Sequence, residues 1–216
     1  MVEQQDNVYF YLTLLNENYA QPGLRGTAAR KRSSRACTCC RKARRSARRV
    51  NLLGSGTILR ESIAAQRAAR QATGASPPTS GAARASTSSA RDGQDAERWN
   101  LLHPTERRAC RSSPSSSRST AGPVIASTDY MKNYAEQIRA FLPKGRAYKV
   151  LGTDGFGRSD FRTKLREHFE VDRHYIVVAA LKALADEGSV PADQGRRGDR
   201  QRYKIDADRD QSRSYA

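Results

Sequence analysis

Residues 50–63, VNLLGSGTILRESI, decide the fold class of this chain. Val50 to Leu53 suit a short strand, Gly54-Ser55-Gly56 form a tight turn, and Ile58, Leu59 and Ile63 recur at helical spacing up to Gln66. Strand, turn and helix in so short a span build a parallel sheet, because parallel neighbours need a crossover between them. Downstream the unit recurs. Pro123 to Ala126 reads as a strand, with Ser127, Thr128 and Asp129 offering N-caps to a helix carrying Met131, Tyr134, Ile138, Phe141 and Leu142, which Pro143 ends. Ala147 to Leu151 reads as another strand, followed by the glycine loop Gly152 to Gly157 and by a helix capped by Ser159 or Asp160. Asp172 starts a last helix, apolar almost all round, with Gly188 as its left-handed stop. Upstream, Val8 to Leu15 is an unbroken apolar run, the pattern of a parallel strand buried on both faces. The expected class is α/β, layered around a mostly parallel sheet.

Other stretches carry no hydrophobic period. Residues 25–45, 67–89, 107–120 and 195–202 hold about half of the 39 Lys and Arg with a single acid, Asp199, and all four cysteines, Cys37, Cys39, Cys40 and Cys110. The net charge of +17 therefore belongs to these segments, and the rest of the chain is close to neutral, as in an ordinary domain. The cysteines say nothing of redox compartment. The start, MVEQQDNVYFYLTLLNENY, has acids where a secretion signal needs Lys or Arg, and no apolar run is long enough to span a membrane, so a cytoplasmic protein is expected.

The well-patterned text resembles a known family. Residues 8–24, VYFYLTLLNENYAQPGL, 50–63, 90–106, ARDGQDAERWNLLHPTE, 123–143, PVIASTDYMKNYAEQIRAFLP, 148–181, opening YKVLGTDGFGRSDF, and 203–209, YKIDADR, resemble the C-terminal region of the homodimeric bacterial pyruvate dehydrogenase, in the same order and spacing. The resemblance covers about two-thirds of the chain. It implies residues 1–24 as the end of a pyrimidine-binding middle domain, 25–49 as an aberrant basic segment, 50–208 as a three-layer transketolase-like C-terminal domain with aberrant inserts at 67–89, 107–120 and 195–202, and 209–216 as a tail.

A shifted reading frame accounts for the odd segments. Reverse-translating Ala36 to Cys40 as GCA TGT ACC TGC TGC and reading one base out gives Met-Tyr-Leu-Leu. The same operation lets RKRSSRACTCCRK hide EEEILKGMYLLQE, an amphipathic helix, and lets GASPPTSGAARASTSS hide GVAADVWSGPSFNEL, a strand directly before residue 90. RACRSSPSSS and QGRRGDRQ hide RVPFVAEQL and a run reading VAEAIA. Paired frame errors, in the gene or in its sequencing, are the expectation. Exchanging about four buried apolar residues of a strand for Ser, Pro and Thr forfeits roughly 6–12 kcal/mol, against a total stability of about 5–15 kcal/mol. Little cooperative unfolding is therefore expected.

The chemistry-bearing residues favour structural readings. Cys37, Cys39 and Cys40 are half a zinc site at best, with no second ligand pair downstream. Arg-rich stretches suit RNA phosphates, yet they lack interleaved aromatics, which leaves a basic nucleic-acid-binding protein as the weaker alternative. Gly54-Ser55-Gly56 lacks both the third glycine and the lysine of the phosphate-binding loops. His103, His168 and His174 stand at no recognisable catalytic spacing, and His103 reads as a loop residue packed on Trp99. Asp154, Arg158 and Asp160 in the loop GTDGFGRSD are the most interesting polar set, read as a structural or interface loop locked by an Arg-carboxylate pair.

By resemblance, the full-length family member is a homodimer that binds thiamine diphosphate and Mg²⁺, decarboxylates pyruvate and passes the acetyl group to lipoyl groups on an acyltransferase core. The family's catalytic and cofactor residues lie upstream of Val8, so none is assigned here. The expected role is that of a fragment supporting the dimer, inactive alone. A non-enzymatic dimerisation or regulatory module is the main alternative.

Overall fold

The computed structural model describes residues 37–41, 49–73, 79–83, 86–106 and 122–191, with positions 3–5, 7–9, 12, 14, 18, 19, 109, 203, 205, 206, 208 and 209 besides. In chain order the elements are β1 (Cys37–Arg41), β2 (Asn51–Gly54), α1 (Ile58–Thr73), β3 (Thr79–Ala83), α2 (Ser86–Leu102), β4 (Val124–Ser127), α3 (Lys132–Glu136), a 3-10 turn (Arg139–Phe141), β5 (Tyr148–Leu151), α4 (Arg162–His168) and α5 (Arg173–Asp186). The sheet order is β1-β3-β2-β4-β5. Only β1 runs antiparallel, against β3; the pairs β3–β2, β2–β4 and β4–β5 are parallel.

Alternation along the central strands builds three layers. On one face Leu52, Ile125 and Leu151 meet Ile58 and Ala65 of α1 and Ile176, Val177, Ala180, Leu181 and Leu184 of α5. On the other face Leu53, Val124, Ala126, Tyr148 and Val150 meet Ala90 of α2, Ala135 of α3 and Ile138. Covered on both sides, β2 and β4 are buried throughout, with Asn51 and Ser127 as the polar members of otherwise apolar strands. Gly54 lets α1 approach β2, since a Cβ there would lie 2.6 Å from the Leu59 Cα.

The last helix follows its sequence signals closely. The Asp172 carboxylate accepts from the backbone N–H groups of His174 and Tyr175, at 2.8 and 2.9 Å. At the other end, Gly188 has φ +70°. The N–H groups of Ser189 and Gly188 return to the carbonyls of Leu184 and Ala185, which satisfies the terminal acceptors.

The strand expected over Val8 to Leu15 lies in large part outside the described residues; of the described ones, Val8, Tyr9, Leu12 and Leu14 are exposed. Other local expectations fail for nonlocal reasons. The helix expected from Met131 to Leu142 is short, and it breaks into α3 and the 3-10 turn. Its N-cap is Met131, which bonds nothing with its side chain, because the expected caps serve elsewhere. Thr128 accepts from the N–H of Tyr130, and Asp129 accepts from the hydroxyl of Thr57. Helix α4 is capped by Phe161 in place of Ser159 or Asp160. The odd segments also contribute structure: β3 stands where the missing strand was expected, and residues 37–41, expected to replace a helix, form β1.

Candidate functional site

The polar groups of the described residues concentrate where β2, β4 and β5 end. Three turns meet there, at residues 55–57, 128–131 and 152–161, and α4 leaves from the last of them. This edge of a parallel sheet is where α/β folds place ligands, since the turns converge on it while the strand starts do not.

Glu61 organises the buried side of this edge. It lies on the apolar face of α1 at 5 % exposure. Arg173 at the start of α5 holds it in fork geometry, with Nε donating to Oε2 at 2.8 Å and Nη2 to Oε1 at 3.1 Å, while the Arg173 backbone N–H adds a third bond at 3.2 Å. Arg166 of α4 donates to Oε1 at 3.3 Å. Burial pushes the Glu61 carboxyl upward, yet the Arg173 hydrogen bond and the charges of Arg173 and Arg166 outweigh it and leave the group below its usual range. The same bond raises Arg173. One carboxylate thus ties α1, α4 and α5 together.

The open side is a crevice of about 250 Å³. Thr57, Asp129 and Thr153 line it from the three strand ends, Arg158, Arg162 and Arg166 from the last turn and α4, with Leu165, Phe169 and Val171 as its apolar wall. Arg166 Nη2 donates to Thr57 Oγ1 at 3.4 Å and to the Tyr19 hydroxyl at 3.4 Å, and the Thr57 hydroxyl donates to Asp129 Oδ2 at 3.1 Å. Three guanidinium groups gather on the ring of Tyr19: the Cζ atoms of Arg60, Arg162 and Arg166 lie 5.2, 5.6 and 6.0 Å from its centroid.

All three loop residues singled out in the sequence stand at this edge. Asp154 faces α3, accepting from the Lys132 backbone N–H at 3.2 Å and pairing with Lys132 Nζ at 3.1 Å. It thereby serves a first-turn donor of α3 from 22 residues away. Arg158 faces the crevice. Asp160 accepts from the Phe161 N–H at 2.6 Å, beside the start of α4. His103 stacks on Trp99 with centroids 3.7 Å apart, as expected of a packed loop residue. His168 meets Phe169 edge-on and Arg209 through Nδ1, and His174 stacks on Tyr203 and pairs with Asp172.

Sequence reasoning missed Glu61, Arg166 and Arg173. A carboxylate on the face that carries Ile58, Ala65 and Ala69 was the available signal, because a buried acid demands a cation. Arg158, Arg162 and Arg166 also recur every four residues, the spacing of one helix face.

Residues 107–172, which include β4, β5 and the turn carrying Arg158, match the family model of the transketolase-like TK C-terminal domain. The pyruvate dehydrogenase E1 component of Cupriavidus necator is 49 % identical over 196 residues, covering 90 % of this chain and 22 % of that protein. The chain is a relative of the pyruvate dehydrogenase E1 component. E1 components of Pseudomonas aeruginosa and Escherichia coli are 46 % and 45 % identical, over 88 % and 87 % of this chain and 21 % of each. The chain spans about a fifth of the length of these E1 relatives. Among solved structures, transketolase from Pichia stipitis aligns with a TM-score of 0.49 at 14 % identity, over 77 % of this chain and 20 % of that one. The E1 alignments run across most of the Arg-rich and Ser-rich segments, since nine-tenths of the chain is covered. Among the described residues no helix is long and apolar enough to cross a membrane.

Proposed function

We propose that the chain is a C-terminal piece of a pyruvate dehydrogenase E1 component, with a structural, dimer-supporting role and no turnover of its own. The observation that carries this reading is 49 % identity to one such component, sustained over 196 residues. The three-layer fold supports it, and so does the concentration of polar bonds in pairs that join elements, Glu61 with Arg173 and Asp154 with Lys132, which is what a supporting domain needs.

In this reading the complete protein oxidatively decarboxylates pyruvate in the cytoplasm as a homodimer and delivers acetyl groups to lipoyl groups of an acyltransferase core. Thiamine diphosphate and Mg²⁺ supply the carbanion chemistry when bound. Among the described residues no three His, Cys, Asp or Glu side chains converge as Mg²⁺ ligands would, and no step is placed on this chain. Residues 1–24 belong to the preceding middle domain, which explains an apolar run with exposed Val8, Tyr9, Leu12 and Leu14. Residues 25–49, 67–89, 107–120 and 195–202 are frame-shifted text. Asp154, Arg158 and Asp160 hold the loop that faces the neighbouring domain or subunit.

A chimera tests the role. The matching fifth of the Cupriavidus necator component is replaced by this chain, and dimerisation and pyruvate turnover are measured separately. A dimer with turnover is expected, with none from the 216 residues alone; a monomeric but folded chimera would remove the dimer-supporting role. High-accuracy DNA sequence across the four segments, aligned to an intact relative, tests the frame shifts: no gained or lost bases at the joins refutes them.

A further inference from the structure

We infer that Tyr19 is the anchor by which the end of the preceding domain docks on the edge formed by α1 and α4. The inference rests on the reading of residues 1–24 as the tail of a middle domain, and it names the contact that joins the two. Of the described residues before β1, Tyr19 alone is half-buried, while the others are exposed. Its ring meets Arg60 of α1 and Arg162 and Arg166 of α4, with Cζ 5.2, 5.6 and 6.0 Å from the centroid. Its hydroxyl accepts from Arg166 Nη2 at 3.4 Å, across 147 residues of chain.

An aromatic face attracts guanidinium groups without adding a charge, so these contacts stand beside whatever other bonds the arginines make. A ring that draws cations from two helices fixes its own segment relative to both. The grip is on a placed group, because Arg166 also bonds Glu61, which Arg173 of α5 shares. Tyr19 thus reaches the network that joins α1, α4 and α5. Apolar surface to be covered lies on both sides of the anchor. Phe161, which directly precedes Arg162, and Phe156 of the same turn are 81 % and 78 % exposed. Val8, Tyr9, Leu12 and Leu14 are exposed on the segment that arrives at this edge. Exposed apolar groups gathered at a chain entry suit the domain to which that segment belongs.

The 216-residue chain has one tryptophan, Trp99, so Tyr19→Trp on a Trp99→Phe background reports on position 19 by fluorescence. Acrylamide quenching of that indole is expected to be at least about twofold weaker than in the urea-unfolded chain, since an indole holds cations better than a phenol. Adding Arg60→Ala/Arg162→Ala should raise quenching toward the unfolded value. Arg91→Ala/Arg98→Ala, an equal loss of charge from exposed positions of α2, should leave it unchanged. A second readout keeps the native ring: in urea, Tyr19→Leu is expected to lower the folded-to-unfolded ratio by about tenfold. Combined with Arg162→Ala, it should lower the ratio by less than the product of the two single effects. The anchor is overturned if the indole is quenched alike in folded and unfolded chain, if both charge variants act equally, or if the two single effects multiply. The chimera separates this inference from the reading beneath it. An accessible indole in a chimera that dimerises and turns over removes the anchor alone, whereas a protected one in a folded monomer upholds the anchor and removes the dimer-supporting role.

Discussion

Glu61 shows how one residue carries both stability and a pH signature. Removing the carboxylate leaves Arg166, 16 % exposed in its side chain, and half-exposed Arg173 without their shared acceptor. Loss of one partner from a buried pair costs about 3–5 kcal/mol, and the exposure of Arg173 reduces that, so Glu61→Ala is expected to lower unfolding stability by about 2–4 kcal/mol in urea. The pH dependence follows from the downward shift. A carboxylate whose folded value lies below its unfolded value, near 4.5, contributes stability that is complete above that value and fades as pH falls through the folded one. The stability difference between parent and Glu61→Gln should be constant above about pH 5.5 and shrink below about 4.5; a difference that grows on acidification would contradict the assigned bonds.

Single elements show what local text encodes. Helix α5 was legible at both ends, because a cap and a left-handed glycine act within a few residues of the bonds they serve. Asp172→Ala is accordingly expected to cost about 1 kcal/mol, seen as a lowered denaturation midpoint with α5 intact. Helix α3 was misread at its start, because its first N–H is served by Asp154, a partner that no window around residue 131 contains. The strand expected over Val8 to Leu15 falls largely outside the described residues, and apolar text of this kind reports that burial is needed, not where the partner strand lies. Strand β3 was legible only through the shifted frame: as written, Thr79-Ser-Gly-Ala-Ala83 has little β preference, and it pairs with β2 on one side and β1 on the other. Ser80 stands in register with Leu52, so Ser80→Val should raise stability by about 0.5–1 kcal/mol through strand preference alone. An unchanged or lowered midpoint would mean that this position has no room for the added methyl groups.

At the scale of the whole molecule, the two apolar clusters decide whether the chain unfolds cooperatively. Among the described side chains their buried members come from β2, β4, β5, α1, α2, α3, α5 and short flanking turns, with Ala69 from an altered segment. The expectation of little cooperativity rested on losing a strand from the core, whereas the described core is assembled from text that keeps its apolar period. Clusters on both faces of β2 and β4 share those strands, so separating either layer exposes the other, which is the condition for a single transition. Urea unfolding followed by circular dichroism should therefore give one sigmoidal transition. Native-state hydrogen exchange should find its slowest amides in 51–54, 124–127, 148–151 and 176–184, because only the largest opening exposes them. Fast exchange throughout these segments, with no transition in urea, would instead mean that the Arg-rich and Ser-rich text is enough to undo the core built by the well-patterned text.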